Sequence, residues 1–243
     1  MKNISILCCL LIGQLLVASA DTFYYDCAHG EREPNETIKM LVRELELDFC
    51  ERKTEICPES LVGCKVLYLQ APATKLGVDE QTTIIEFVNS GGAMFLVLDE
   101  EVRQSLQETE VNNLIIPFGM MLTVDTPYLH NQGGMGQKGE ILRADYELPY
   151  SGGRAVAGGT AFAYRLDKHG NAELPFASYK KLDSGGRIVV MGEGMPSIFL
   201  GTKEGKRLTG VDRDFRRTTY FGKDSLPFMR DILFWLSRYQ PNL

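Results

Sequence analysis

Basic residues are in deficit. The chain has 26 lysines and arginines against 32 aspartates and glutamates, and setting Lys2 aside with the leader described below leaves 25 against 32, a net charge of −7. A nucleic-acid surface needs a basic stripe, so no nucleic-acid partner is expected. Long apolar runs are missing after residue 20. Spanning a bilayer takes about 20 apolar residues, so no integral membrane segment is expected beyond the leader. There is no C-x-x-C and no Cys/His grouping with zinc spacing, which leaves no metal or cofactor to assign. The absence of low-complexity tracts and internal repeats excludes a repeat array.

What is present begins with a leader. Lys2 supplies a positive start. Residues 4–17 are apolar but for Ser5, Gly13 and Gln14, and Ala18-Ser19-Ala20 gives a small-x-small cleavage pattern before Asp21. This predicts a signal peptide over 1–20, removal on export, and a secreted (extracellular or periplasmic) chain of one domain over 21–243. Four cysteines remain after cleavage, Cys27, Cys50, Cys57 and Cys64. An even count in an exported chain suggests disulfides.

The next signals concern organisation. Phe23-Tyr24-Tyr25 reads as a strand ending at Asp26. Asn35 stands where it can cap a helix, and Ile38, Leu41, Val42, Leu45 and Phe49 follow at helical period, predicting one helix over about 36–49. Asn35-Glu36-Thr37 is also a glycosylation sequon. The apolar runs at 65–69 and 93–98 read as strands buried on both faces. Between them a helix over about 79–90 ends at Gly91-Gly92. The chain therefore reads β-α-β-α-β by residue 98, which predicts an α/β fold with a mainly parallel sheet and helices on both faces. In the second half, 111–119 reads as a short helix and 121–124 as a strand. Residues 130–139 read as loop, the segments 140–147, 154–165 and 175–182 as antiparallel hairpins, and 187–191 as another buried strand. A buried helix over about 225–239 closes the chain.

Parallel strands present their carboxyl ends along one edge, where open α/β sheets bind ligands. Asp26, the Asp99-Glu100-Glu101 run and Glu193 each follow such a strand, so the cluster Asp26-Cys27-Ala28-His29 is expected to share a rim with Asp99, Glu100 and Glu193. His29 with Asp99 or Glu193 could bind a divalent metal or share protons. Cys27 beside His29 has no third orienting group, and neighbouring strand residues point to opposite faces, which counts against a thiolate–imidazole pair. Gly134-Met-Gly136-Gln-Lys-Gly139 matches G-x-G-x-x-G by letter, but no helix follows it, so a dinucleotide site is rejected. The basic segment 203–217 reads as a solvated loop. The topology also constrains the cysteines. Cys27 sits at the ligand edge, whereas Cys50, after the helix, and Cys64, before the next strand, sit at the other. A helix of about 14 residues rises about 21 Å, and a disulfide needs Cα atoms within about 7 Å. The bridge is expected among Cys50, Cys57 and Cys64, with Cys50–Cys64 preferred.

The passages "DCAHGE", "IIEFVNSGGAMFLVL", "VNNLIIPFGMML" and "SGGRIVVMGEG" resemble the GIFT-type domain shared by gliding and intraflagellar-transport proteins, over most of 22–200. That domain falls in the class I glutamine amidotransferase-like superfamily, which includes ThuA-like proteins. Amidotransferases need a cysteine at a glycine elbow after a strand and a distant His-Glu pair. Here Asp99-Glu100-Glu101 and Gly192-Glu193-Gly194 stand at those places. The resemblance thus implies the fold without amidotransferase chemistry, and a non-catalytic domain linked to carbohydrate.

The functional expectation is a secreted, non-catalytic domain binding a glycan or glycoprotein at the carboxyl edge. Asp26, His29, Asp99, Glu100 and Glu193 would hydrogen-bond hydroxyls, and Tyr128 would stack on a sugar face. The rival reading is a hydrolase, metal-assisted or using a carboxylate pair, acting on a carbohydrate-like substrate at the same edge, and a third is a purely structural or partner-binding module whose crevice is filled by its own side chains.

Overall fold

The computed structural model describes residues 21–125, 133–150, 152–198, 200 and 224–238. The leader 1–20, Tyr128 and the basic segment 203–217 lie outside the described residues.

In chain order the first half holds β1 (Thr22–Asp26), α1 (Glu36–Glu44), β2 (Asp48–Arg52), β3 (Cys64–Gln70), α2 (Val78–Asn89) and β4 (Ala93–Val97). Then come β5 (Met121–Asp125), β6 (Gly134–Gly136), β7 (Tyr146–Leu148), β8 (Arg154–Ala157), β9 (Thr160–Leu166), β10 (Ala172–Lys181) and β11 (Arg187–Met191), followed by a closing helix, Ser225–Ser237. A nine-stranded sheet runs β2-β1-β3-β4-β11-β10-β9-β6-β7. Its first five strands are parallel and the rest antiparallel. Strands β5 and β8 form a separate antiparallel pair.

The mainly parallel α/β fold expected from the apolar runs is the observed one. Alternation along each strand assigns one core to each face. Phe23, Tyr25, Val66, Tyr68, Phe95, Val97, Val189 and Met191 pack with Ile38, Leu41 and Val42 of α1 and with Phe228, Met229 and Ile232 of the closing helix. Tyr24, Leu67, Leu69, Met94, Leu96, Ile188 and Val190 pack on the other face with Ile84 and Val88 of α2. Aromatic rings tie the strands within the first face. Tyr68 stacks on Phe95 with centroids 4.8 Å apart and meets Tyr25 edge-on at 5.3 Å, arrangements that add about 0.5–1.5 kcal/mol each beyond the area they bury.

Three local expectations are corrected. The first helix stops at Glu44, not at 49. Asn35 caps it as expected, accepting from the Thr37 and Ile38 N–H groups, but Glu46 adopts a left-handed φ of 60°. That conformation ends a helix, and the chain turns into edge strand β2. Phe49 falls in phase with the helical stripe although it packs from a strand.

The second correction follows from the first. Cys50 is not at the far end of a helix but in β2 opposite Tyr24, while Cys64 opens β3 opposite Thr22. The two therefore stand on opposite sides of β1. Two strand spacings come to about 9.5 Å, beyond the reach of a disulfide, and all four cysteines among the described residues are unbonded. Third, part of the expected loop 130–139 is strand: Gly134–Gly136 pairs with both β7 and β9. A Cβ on Gly134 would sit 2.8 Å from the Phe176 ring, and one on Gly136 2.7 Å from Leu142. The glycines that resembled a loop fingerprint are there because neighbouring side chains cross a thin strand.

Candidate functional site

Asp26, Asp99 and Glu193 end or follow β1, β4 and β11, all members of the parallel half. They line the same carboxyl edge. Their surroundings differ, and they divide into two clusters.

The first cluster is built by the turn after β1. Asp26, fully buried, accepts the Ala28 N–H through Oδ1 and holds the His29 Nδ1 at 2.7 Å through Oδ2. His29 is 5% exposed. The backbone keeps it there: its carbonyl accepts from Ala73 and Thr74 N–H groups, and its own N–H donates to Glu31 Oε2 at 2.7 Å. The other ring nitrogen, Nε2, lies 3.1 Å from Glu80 Oε2. Glu80 arrives from the first turn of α2, where its carboxylate accepts the Gly77 N–H and the Ile56 N–H, both at 2.8 Å. The Glu31 side chain is fully buried, and its Oε1 has no hydrogen-bond donor. One imidazole thus sits among three carboxylates. Burial opposes its charge, but the Asp26 hydrogen bond and the Asp26, Glu80 and Glu31 charges outweigh it and raise the His29 pKa to about 9. Burial and the adjacent Asp26 push the Glu31 carboxyl up to about 8.

The second cluster lies across β3. Asp99, 1% exposed, caps its own turn by accepting the Glu100 N–H at 3.0 Å. Arg103 reaches Glu100 Oε1 at 2.9 Å and Asp99 Oδ2 at 3.6 Å. Glu193, fully buried, accepts the Met195 N–H at 2.9 Å and the Gly153 N–H at 3.4 Å. A Cβ on Gly194 would meet Asp99 Oδ2 at 3.0 Å, so the β4 and β11 turns touch. Beneath them Arg154, with no exposed surface, donates from Nε to the Asp99 carbonyl at 2.8 Å and from Nη2 to the Gln104 carbonyl at 2.7 Å and to Glu101 Oε2 at 2.5 Å.

The expected rim therefore exists, but its members are not grouped as expected. The partners of His29 are Asp26, Glu31 and Glu80, and Asp99 and Glu193 belong to the other cluster. Tyr128 falls outside the described residues. Glu31 and Glu80 were not singled out from the sequence. Asp26, His29 and Glu31 form a D-x-x-H-x-E spacing that was legible, whereas Glu80 enters from a helix dozens of residues away. Cys27, beside the first cluster, has its thiol pushed up to about 11 by burial and by the Glu51, Glu31 and Asp26 charges, the opposite of what a nucleophilic thiolate requires. A cavity of about 290 Å³ lies at the other edge of the sheet, bordered by Leu61, Cys64, Phe87 and Leu236.

No curated protein sequence matches the chain. The family comparison does find a match. Residues 22–129 match the family model of the IFT52 GIFT domain. The IFT52 likeness extends to structure: the mmIFT52 N-terminal domain is 17% identical, with a TM-score of 0.67 over 91% of this chain and 100% of that one. A putative GMP synthase component from Thermoplasma acidophilum is 12% identical, with a TM-score of 0.50 over 89% of this chain and 94% of that one. At these identities the structures establish a shared fold. A putative ThuA-like protein from Bacteroides uniformis, 11% identical with a TM-score of 0.49 over 88% of this chain and 89% of that one, is more distant still.

The IFT52 match corrects the functional expectation. IFT52 is an intraflagellar transport protein, so the reading of a secreted glycan-binding domain, the rival reading of a carbohydrate hydrolase, and the secreted localisation all fall. The physical reason lies at the edge itself. Asp26, His29, Asp99, Glu100 and Glu193 are each at most 5% exposed, and their polar atoms are engaged by backbone and neighbouring side chains. A sugar hydroxyl needs solvent-facing partners. Among the described residues no helix is long and apolar enough to cross a membrane.

Proposed function

We infer that this chain works as a GIFT-type domain of the intraflagellar-transport kind, engaging protein partners inside the cell, at the ciliary compartment, without catalysing a reaction. The match of residues 22–129 to the IFT52 GIFT domain carries this reading, and the likeness along the whole of the mmIFT52 N-terminal domain supports it. The turn after β4 argues in the same direction. Asp99 and Glu100 stand where an amidotransferase-like fold would present a nucleophilic cysteine, and both are tied into a structural cluster. The reading includes residues 21–243 as one folding unit, supported by the packing of the closing helix on α1 and on the sheet core.

The test is localisation and assembly of the full chain in a ciliated cell, tagged at the C-terminus. The expected result is tag at the ciliary base and along the axoneme, co-purifying with other transport-complex proteins. Recovery of the tag in the culture medium, shortened by the first 20 residues, overturns the reading. Limited proteolysis of the purified chain should leave one core fragment; two stable fragments separating the parallel from the antiparallel strands would refute the single unit.

A further inference from the structure

The IFT52 likeness leaves the first cluster unexplained. A buried histidine held by three carboxylates is an expensive arrangement for a turn that any small loop could make, because buried charges are kept only when paired. The pairing here is incomplete. Glu31 Oε1 is buried, turned toward the His29 ring at 4.0 Å from Nδ1, and without a donor. One ligand atom each from Asp26, His29 and Glu31 lies within 4.8 Å of the others.

We propose that Asp26, His29 and Glu31 form a binding site for a divalent transition-metal cation of the zinc class, with Glu80 holding the histidine in place. A cation bonded to three such atoms at about 2.0–2.2 Å each keeps the ligand atoms about 3–4 Å apart. That spacing lies between the 2.7 Å separating Asp26 Oδ2 from His29 Nδ1 and the 4.0 Å separating His29 Nδ1 from Glu31 Oε1, and with all three ligand atoms within 4.8 Å of one another side-chain shifts of up to about 1 Å close the site. The orphan oxygen becomes a ligand. The proton on Nδ1 and the proton held by the Glu31 carboxyl leave to solvent as the metal bonds to those atoms, and the dication takes their place, so the charge of the cluster is unchanged. Nε2–H stays on Glu80, whose carboxylate is fixed by two backbone N–H groups. A carboxylate behind a ligating imidazole is the usual device for setting its tautomer and orientation. One imidazole with two carboxylates selects zinc-class ions over magnesium and calcium, which demand more oxygen ligands.

The probe is the metal alone on the full chain, stripped with a chelator. Calorimetry should show one zinc per chain, and thermal unfolding should rise with zinc concentration while equal magnesium leaves it unchanged. X-ray absorption on the zinc-loaded chain should show nitrogen and oxygen ligands. Glu31→Gln should weaken zinc binding at least tenfold, and Glu80→Gln by about tenfold to a hundredfold, since it loosens a ligand without removing one. Circular dichroism of both variants checks that they fold. Should one fail to fold, Glu31→Ala and the absorption spectrum of the native chain decide the matter. The proposal is overturned if the native chain binds no zinc at millimolar concentration, if sulfur dominates the absorption spectrum, if magnesium shifts unfolding equally, or if folded Glu31→Gln binds as the native chain does.

Discussion

The two clusters share a sheet edge, a parallel scaffold and a wealth of buried carboxylates, yet they neutralise charge differently. Around Asp99 and Glu193 the work is done by fixed donors: Arg103, Arg154 and backbone N–H groups. Around Asp26 backbone N–H groups donate as well, but the facing cation is one histidine, whose charge is not fixed, and one carboxylate oxygen is left without a donor. Arginine does not lose its proton in a protein, so a cluster built on it is structural at any ordinary pH. A cluster built on histidine can exchange its proton for something else. The comparison teaches that the buried polar groups of one edge need not share one role.

The comparison breaks most visibly in stability. Arg154→Met should cost about 4 kcal/mol, because it strips the donors from the buried Asp99 carbonyl and the half-buried Gln104 carbonyl and takes the cation away from Glu101. Urea denaturation measures it. His29→Leu should cost less, about 2 kcal/mol, because the Glu31 carboxyl, raised to about 8, holds a proton at neutral pH and leaves fewer charges behind. Equal losses in the two variants would erase the distinction between a rigid and an adaptable cluster. Glu80→Gln should cost about 1 kcal/mol: one side-chain oxygen remains to accept, but the amide nitrogen now faces the Ile56 or Gly77 N–H or the ring. A double-mutant cycle with His29→Leu should show coupling between the two, and additivity would separate Glu80 from the cluster.

The smallest effect is at Glu101. The Ser105 hydroxyl, Arg154 and the Leu106 N–H hold its carboxyl down to about 2. A carboxyl depressed in the folded state stabilises above its ordinary value near 4.5 and loses that contribution as pH falls from about 4.5 to about 2. Half of this side chain is in solvent, so screening keeps the contribution below about 1 kcal/mol. The unfolding midpoints of the native chain and of Glu101→Gln should therefore differ slightly at neutral pH and converge near pH 2. A difference that grows toward low pH would reverse the sign.

Much of the scaffold was legible because it is local. Strands such as 65–69 and 93–98 are buried on both faces and read as unbroken apolar runs, and helices over 78–89 and 225–237 carry their own stripes. The carboxyl edge followed from strand direction alone. The missed strand β2 shows the limit of periodicity, since Phe49 satisfied a helical stripe while the left-handed Glu46 had already ended the helix. The Cys50–Cys64 bridge failed for the same reason: a strand mistaken for a helix end put two cysteines on one edge when β1 stands between them. The functional misreading had a different cause. Polar residues after a strand look alike in sequence whether they face solvent or a neighbour's backbone.

The sequence by itself determined the alternation of strands and helices, the two apolar faces, and the rim on which Asp26, Asp99 and Glu193 would meet, because each rests on spacing within one element. Only the tertiary structure decided who meets whom on that rim. Glu80 crosses from α2 to His29, Arg154 crosses from β8 to the Asp99 turn, and all of them are closed off from water. Those pairings join residues dozens apart, and no periodicity within a segment encodes the neighbour that another segment will supply.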